Sequence, residues 1–307
     1  MSDFINNKPS KIILIRNWMG GTNVRQLLIR LLEESSYTLI SPEVDAWNSG
    51  TDTDSSANKL LFQEKGIIYY FRRPDVFLNF LNNYNEKLGN TEVMVQLRNP
   101  YDLLISEYYG NALCHAAPRG KQKRWRLMRK DMISSGVFNY AYSRISELNE
   151  IYKRIFETVS GNLRFAKYEE MVCNPYSYVS NIVDFLELND VDVGYYSNLI
   201  DVRGDAVEIK SMKRNRRPEE WPGPGRFRYE FNKHEQSKLE AKSADYNKYY
   251  GFLSHDDECL GAPPTKSVKI SKVNMYMKYI IRFEIIERLK PFLRWAKSKA
   301  IGRSSGV

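Results

Sequence analysis

The sequence predicts a three-layer α/β domain, a central parallel sheet of about five strands with helices on both faces. Two observations lead there. Apolar runs of strand length, rich in β-branched residues, recur at residues 11–16, 66–71, 93–97 and 163–168. Such continuous runs mark strands buried on both faces. Each run leads into a turn signal built on glycine, proline or Asn-Pro, and then into residues of helical periodicity. The chain has 307 residues, 42% hydrophobic and 13% aromatic, which supports a full core.

Residues 11–16, KIILIR, form the first strand. A turn through Gly20 and Gly21 follows, and Val24, Leu27, Leu28, Leu31 and Leu32 then give a helix one apolar face. Glycines admit close approach of an anion, and the helix start offers free N–H groups. No GxxxxGK[ST] sequence is present, so this is not a Walker A loop. Residues 41–58 are polar and turn-rich and read as a loop, with a short helix from Asn58 to Gln63. Residues 66–71 are the next strand, followed by Arg72, Arg73, Pro74 and Asp75. A helix over 76–90 ends at Gly89-Asn90.

Residues 93–97 are the strand around which the site is organised. Arg98 stands at its tip, Pro100 turns the chain, Asp102 caps a helix, and Ser106 lies one to two turns along it. An arginine fork and a hydroxyl at a strand tip make an anion pocket. Beyond it, residues 118–130 hold seven basic residues and no acid, with His115 just before them. That run reads either as a solvated helix face or as an element binding an anionic sugar or lipid. Residues 137–157 are helical by pattern. The strand at 163–168 leads through Tyr168 and Asn174-Pro175 to a helix over 179–186. Residues 233–252 read as the terminal helix.

The composition narrows the partners. Net charge is +9, and residues 266–307 hold eleven Lys and Arg against Glu284 and Glu287, so the rest of the chain is balanced. A balanced body argues against a nucleic-acid surface. The tail sets Met277, Ile281, Ile285, Leu289 and Phe292 about four residues apart among cations, the pattern of a basic amphipathic helix pair split at Pro291. The expected organisation is a domain over 1–253, a linker over 254–265 and a basic helical tail over 266–307. Cys114, Cys173 and Cys259 are widely spaced and odd in number, so no disulfide framework or metal pairing is expected. With no apolar signal core in the first residues, this places the protein in the reducing cytoplasm, peripheral on the inner membrane face through its tail.

Four blocks resemble PAPS-dependent sulfotransferases, where PAPS is 3′-phosphoadenosine 5′-phosphosulfate. Arg98, Pro100, Asp102, Ser106 and Tyr108 reproduce the spacing of that family's 3′-phosphate motif. Gly21, Thr22 and Asn23 fall on the last three positions of its 5′-phosphosulfate loop, but Met19 stands where the family has Lys or Arg. Tyr168-Glu169-Glu170-Met171 with Asn174-Pro175 and Phe185-Leu186-Glu187-Leu188 resembles a third block. Arg216, Arg217, Gly225 and Arg226 resemble the late element that closes over the 3′-phosphate.

The resemblance implies a P-loop NTPase-like topology and sulfuryl transfer from PAPS to a hydroxyl of a carbohydrate, glycolipid or small molecule, leaving PAP and needing no metal. It implies that Gly20, Gly21, Thr22, Asn23 and Val24 hold the 5′-phosphosulfate. Arg98 and Ser106 hold the 3′-phosphate, with Tyr168 near the adenine. Arg72 and Arg73 match the family's basic element, and if they replace the loop cation, Met19→Lys is tolerated. The family's base position carries neither His nor Glu, so Asp75 and His115 are the candidates. Two alternatives stand beside this: a nucleotide-binding protein without activity, and a P-loop-type kinase. A homodimer is a further candidate state.

Overall fold

The structure, a computed structural model, describes residues 8–17, 19, 21–33, 35–49, 65–88, 91–114, 122–159, 162–200 and 224–251, with 277, 279–281, 285 and 289 near the C-terminus. Gly20, His115, Arg216, Arg217, the segment 58–63, the linker at 254–265 and most of the tail lie outside these residues.

Five parallel strands form one sheet in the order β2-β3-β1-β4-β5. They are β1 Lys11–Leu14, β2 Thr38–Ile40, β3 Ile67–Phe71, β4 Val93–Leu97 and β5 Leu163–Lys167. Ile12 sits between Tyr69 of β3 and Val93 of β4, which fixes the central register. Every residue of β1, β3 and β4 is buried, which explains why those strands read as unbroken apolar runs. Even Lys11 is buried, its Nζ paired with Glu92 and Glu187 at the amino edge of the sheet.

The helices fall into two packed groups. One holds α1 Gly21–Leu31, α6 Tyr168–Cys173, α7 Pro175–Phe185 and α8 Val193–Leu199. The other is built on the long α5 Gln122–Thr158, against which α3 Pro74–Leu88, α4 Pro100–Tyr109, α10 Lys233–Lys242 and α11 Ala244–Tyr250 pack. This is the three-layer α/β architecture that the sequence predicts.

Several local expectations need correction. Residues 42–49 are not loop but helix α2, Pro42–Ser49. Proline at the first helical position suits that start. The Ser41 carbonyl accepts from the N–H groups of Val44 and Asp45, and the Ser41 N–H donates to Asp45 Oδ2 at 3.3 Å. Asp102 does not cap α4; Asn99 does, its Oδ1 accepting from the N–H groups of Tyr101 and Asp102. The terminal helix is two, broken at Ser243 and stopped by Gly251 at φ 59°. The basic run and the following helical stretch join in α5, with a break at Gly136, φ 81°. Within that run Arg129 is buried, its Nε bonded to the Asn111 carbonyl and its guanidinium over Trp125. Cys173 is disulfide-bonded, where the cysteine spacing predicts no pairing.

Near the C-terminus Tyr279 is buried in the core and Ile280 packs against it. Met277, Ile281, Ile285 and Leu289 are instead 48–51% exposed. Among the described residues no helix is long and apolar enough to cross a membrane.

Candidate active site

All five strands point their carboxyl ends to the same edge, and the segments that leave them carry the candidate residues. The chain from β1 runs to one side of the sheet and the chain from β4 to the other. In open α/β sheets, ligands bind at such a switch point.

The segment after β1 is pinned from behind. Gln96 of β4, wholly buried, donates through Nε2 to the Met19 carbonyl and accepts from the Tyr178 hydroxyl. The Met19 side chain is 0% exposed, with the Tyr152 hydroxyl 4.0 Å from its sulfur. Met19 therefore anchors the loop in the core, where an ammonium in its place would be buried among apolar groups, which weighs against the expected tolerance of Met19→Lys. Arg16 is bound to Glu107, Nη2 to Oε2 at 3.1 Å. Gly21 and Thr22 open α1, Asn23 and Val24 follow in its first turn, and Val24 is buried. Asn23 is only 8% exposed, and its Oδ1 takes no hydrogen bond. An amide so placed can turn either its oxygen or its NH2 to a ligand.

Beside this loop stand the ends of β2 and β3. Glu43, at the start of α2, accepts the N–H groups of Arg72 and Arg73 with Oε1, both at 3.0 Å. Arg25 of α1 reaches Ser41 Oγ from Nε at 3.3 Å. Arg73 forms an ion pair with Asp75. Burial raises the Asp75 carboxyl, but the hydrogen bond and charge of Arg73 outweigh it and hold the group below its ordinary range. A carboxylate held that way is a poor proton acceptor.

At the tip of β4, Arg98 is 2% exposed, and its guanidinium lies 4.2 Å from the centre of the Tyr168 ring. Tyr168 is itself buried and serves as the floor on which Arg98 rests. Glu169 Oε1 accepts the Asn99 N–H at 2.9 Å. Burial pushes the Glu169 carboxyl up to about 6 against the opposing pull of the Asn99 amide and Arg98. Ser106 sits half-buried on α4.

Asp102, fully buried, turns away from its own helix start and receives the N–H groups of Gly225 and Phe227. That docks the short helix α9, Phe227–Glu230, on α4. Arg226 caps the dock: its guanidinium lies 4.1 Å from the Tyr109 ring centre, and Nε and Nη2 bond Glu230 Oε1 at 3.0 and 2.7 Å. The Tyr109 hydroxyl donates to the same carboxylate.

The structure thus groups the candidates in two clusters at one sheet edge. Asn23, Val24, Arg72, Arg73 and Asp75 belong to the first. Arg98, Ser106, Tyr168, Gly225 and Arg226 belong to the second. Sequence reasoning assigned no role to Glu43, Glu169 or Glu230, the carboxylates that hold these groups in place. A Ser-Pro-Glu helix start at 41–43 was the available signal for the first of them.

The family model of the sulfotransferase domain matches residues 82–216. That span includes Arg98, Ser106, Tyr168 and Arg216 and leaves out the loop at 20–24, the Arg72-Arg73 pair and Arg226. Among solved structures, the crystal structure of mouse sulfotransferase SULT7A1 complexed with PAP is similar, with 12% identity and a TM-score of 0.47 over 80% of this chain and 85% of that one. No curated protein matches the sequence significantly. Over residues 82–216, the chain is similar to the sulfotransferase domain.

Proposed function

We propose that the protein transfers a sulfuryl group from PAPS to an acceptor hydroxyl. The observation that carries this is Arg98, a buried guanidinium laid on Tyr168 at the tip of a central strand, beside the start of α4. A fixed guanidinium next to a helix N-terminus suits a phosphate dianion. Ser106 would complete the 3′-phosphate contacts, with Arg216, Arg217 or the remaining donor edge of Arg226 closing over it. The 5′-phosphosulfate would lie on the first turn of α1, at the free N–H groups of the helix start. Arg72 and Arg73 would neutralise charge growing on the bridging oxygen. The buried Met19 supports one second reading, a PAP-binding protein without turnover, because the loop offers no cation at that position.

The tail supports a further part of the proposal. Its exposed apolar stripe lies in a segment with a net charge of +9, which fits an anionic bilayer. An acceptor held there would be a glycolipid or a lipid-linked sugar.

The test is a titration of Arg98→Ala and Ser106→Ala with PAPS and with adenosine 5′-phosphosulfate. Each variant is expected to lose on the order of 1.5–3 kcal/mol for PAPS and much less for the nucleotide lacking the 3′-phosphate. Equal losses for both would remove the 3′-phosphate assignment.

A further inference from the structure

Glu43, beside the first cluster, is half used. Its Oε1 holds the Arg72 and Arg73 amides at 3.0 Å. Its Oε2 is buried and takes no hydrogen bond, although the residue is only 8% exposed. A buried carboxylate oxygen without a donor is costly, and such an exception calls for an explanation. The unbonded Asn23 Oδ1 belongs to the neighbouring helix start. Two orphaned acceptors on adjacent segments suit a ligand that brings its own O–H or N–H.

We infer that Glu43 is the proton acceptor of the transfer reaction. This rests on the sulfuryl-transfer proposal above. The acceptor O–H gives its proton to Glu43 Oε2 as its oxygen forms a bond to sulfur. The bond from sulfur to the 5′-phosphate oxygen breaks, and its electron pair leaves with PAP. The proton then passes to water.

The surroundings match the task. Arg72 and Arg73 face Glu43 from the end of β3, and Tyr70 of β3 lies within the fields of Glu43, Arg72 and Arg25. Burial raises the Glu43 carboxyl, and the amides of Arg72 and Arg73 and the charge of Arg72 moderate that rise. A raised carboxyl is a better base than an ordinary one. Asp75, by contrast, is spent on Arg73.

Glu43→Gln separates the base from the scaffold, because the amide keeps an Oε1 for both N–H groups. In the full-length protein, PAP affinity is read by calorimetry. Release of labelled sulfate from PAPS is followed across pH, with water standing in for the acceptor hydroxyl. The expected result is PAP affinity and melting temperature near wild type, with sulfate release reduced about 100-fold or more and its acid limb lost. Should Glu43→Gln fold poorly, Glu43→Ala with added formate replaces it: formate restoring release supports the base, and no restoration counts against it. Release that stays near wild type with its acid limb intact, while PAP still binds, overturns the role of Glu43 alone. Wild-type protein that neither binds PAP nor releases sulfate overturns the sulfuryl-transfer proposal itself.

Discussion

The hydroxyl of Tyr246 closes on both backbone groups of Arg98, donating to its carbonyl at 2.9 Å and accepting from its N–H at 3.3 Å. β4 has already ended there. A tyrosine from α11 therefore sets the backbone from which the Arg98 side chain projects. Tyr246→Phe removes both of these bonds, at about 1–3 kcal/mol. We expect a lower urea midpoint together with weaker PAP binding. A variant that loses stability but binds PAP as wild type does would show that Arg98 is positioned by other contacts.

Met19→Lys tests the anchoring of the first loop. The methionine is fully buried between Gln96 and Tyr152. An unpaired buried ammonium costs several kcal/mol, so the variant is expected to melt well below wild type. Met19→Leu, close in volume, should cost under about 1.5 kcal/mol. Equal melting of the lysine variant and wild type would mean that the side chain reaches solvent or an anion.

Glu169 gives the fold a pH signature. Its carboxyl stands at about 6 in the folded chain against an ordinary 4.5, through burial. The folded state thus holds this proton more tightly than the unfolded one. Its contribution is fully present below pH 4.5, falls as pH rises through 6, and amounts to about 2 kcal/mol. Glu169→Gln keeps an acceptor for the Asn99 amide and removes the titration. The difference in unfolding free energy between the two proteins should change over that window in the variant's favour. A difference independent of pH would place the Glu169 titration elsewhere.

The exposed stripe predicts vesicle binding. Full-length protein should sediment with vesicles containing phosphatidylglycerol and not with pure phosphatidylcholine. Added salt should weaken binding, since each Lys or Arg near such a surface contributes about 1 kcal/mol. Ile281→Asp combined with Ile285→Asp should reduce it at every salt concentration, because both residues are about half exposed and their loss leaves the core intact. Protein that stays in solution with anionic vesicles at low salt counts against the membrane. A dimer that the double variant dissolves would assign the stripe to a second subunit.

Strands β1, β3 and β4 were readable because burial on both faces makes them continuously apolar. β2 was not, being three half-exposed residues at an edge. Arg98 was readable because the strand before it and Pro100 after it fix its place. Asp102 was misread for a local reason. It satisfies the rule for a helix cap, yet Pro100 at the first helical turn gives that position to Asn99. Asp102 is then left to serve amides 123 and 125 residues away. Glu43 serves amides 29 and 30 residues away. No window of periodicity reaches such partners, because they exist only once the strand tips are side by side.

The docking of Gly225 and Phe227 on Asp102 bears on the order in which the protein is made. The five strands are complete once Lys167 has been synthesised, so a growing chain can build its sheet early. The nucleotide site proposed above waits for the last segments of the domain. A ribosome-bound chain halted before residue 224 would carry a folded sheet and an unlatched α4. On that proposal, forming the sheet and becoming competent to bind are separate events, the second waiting on the final helices.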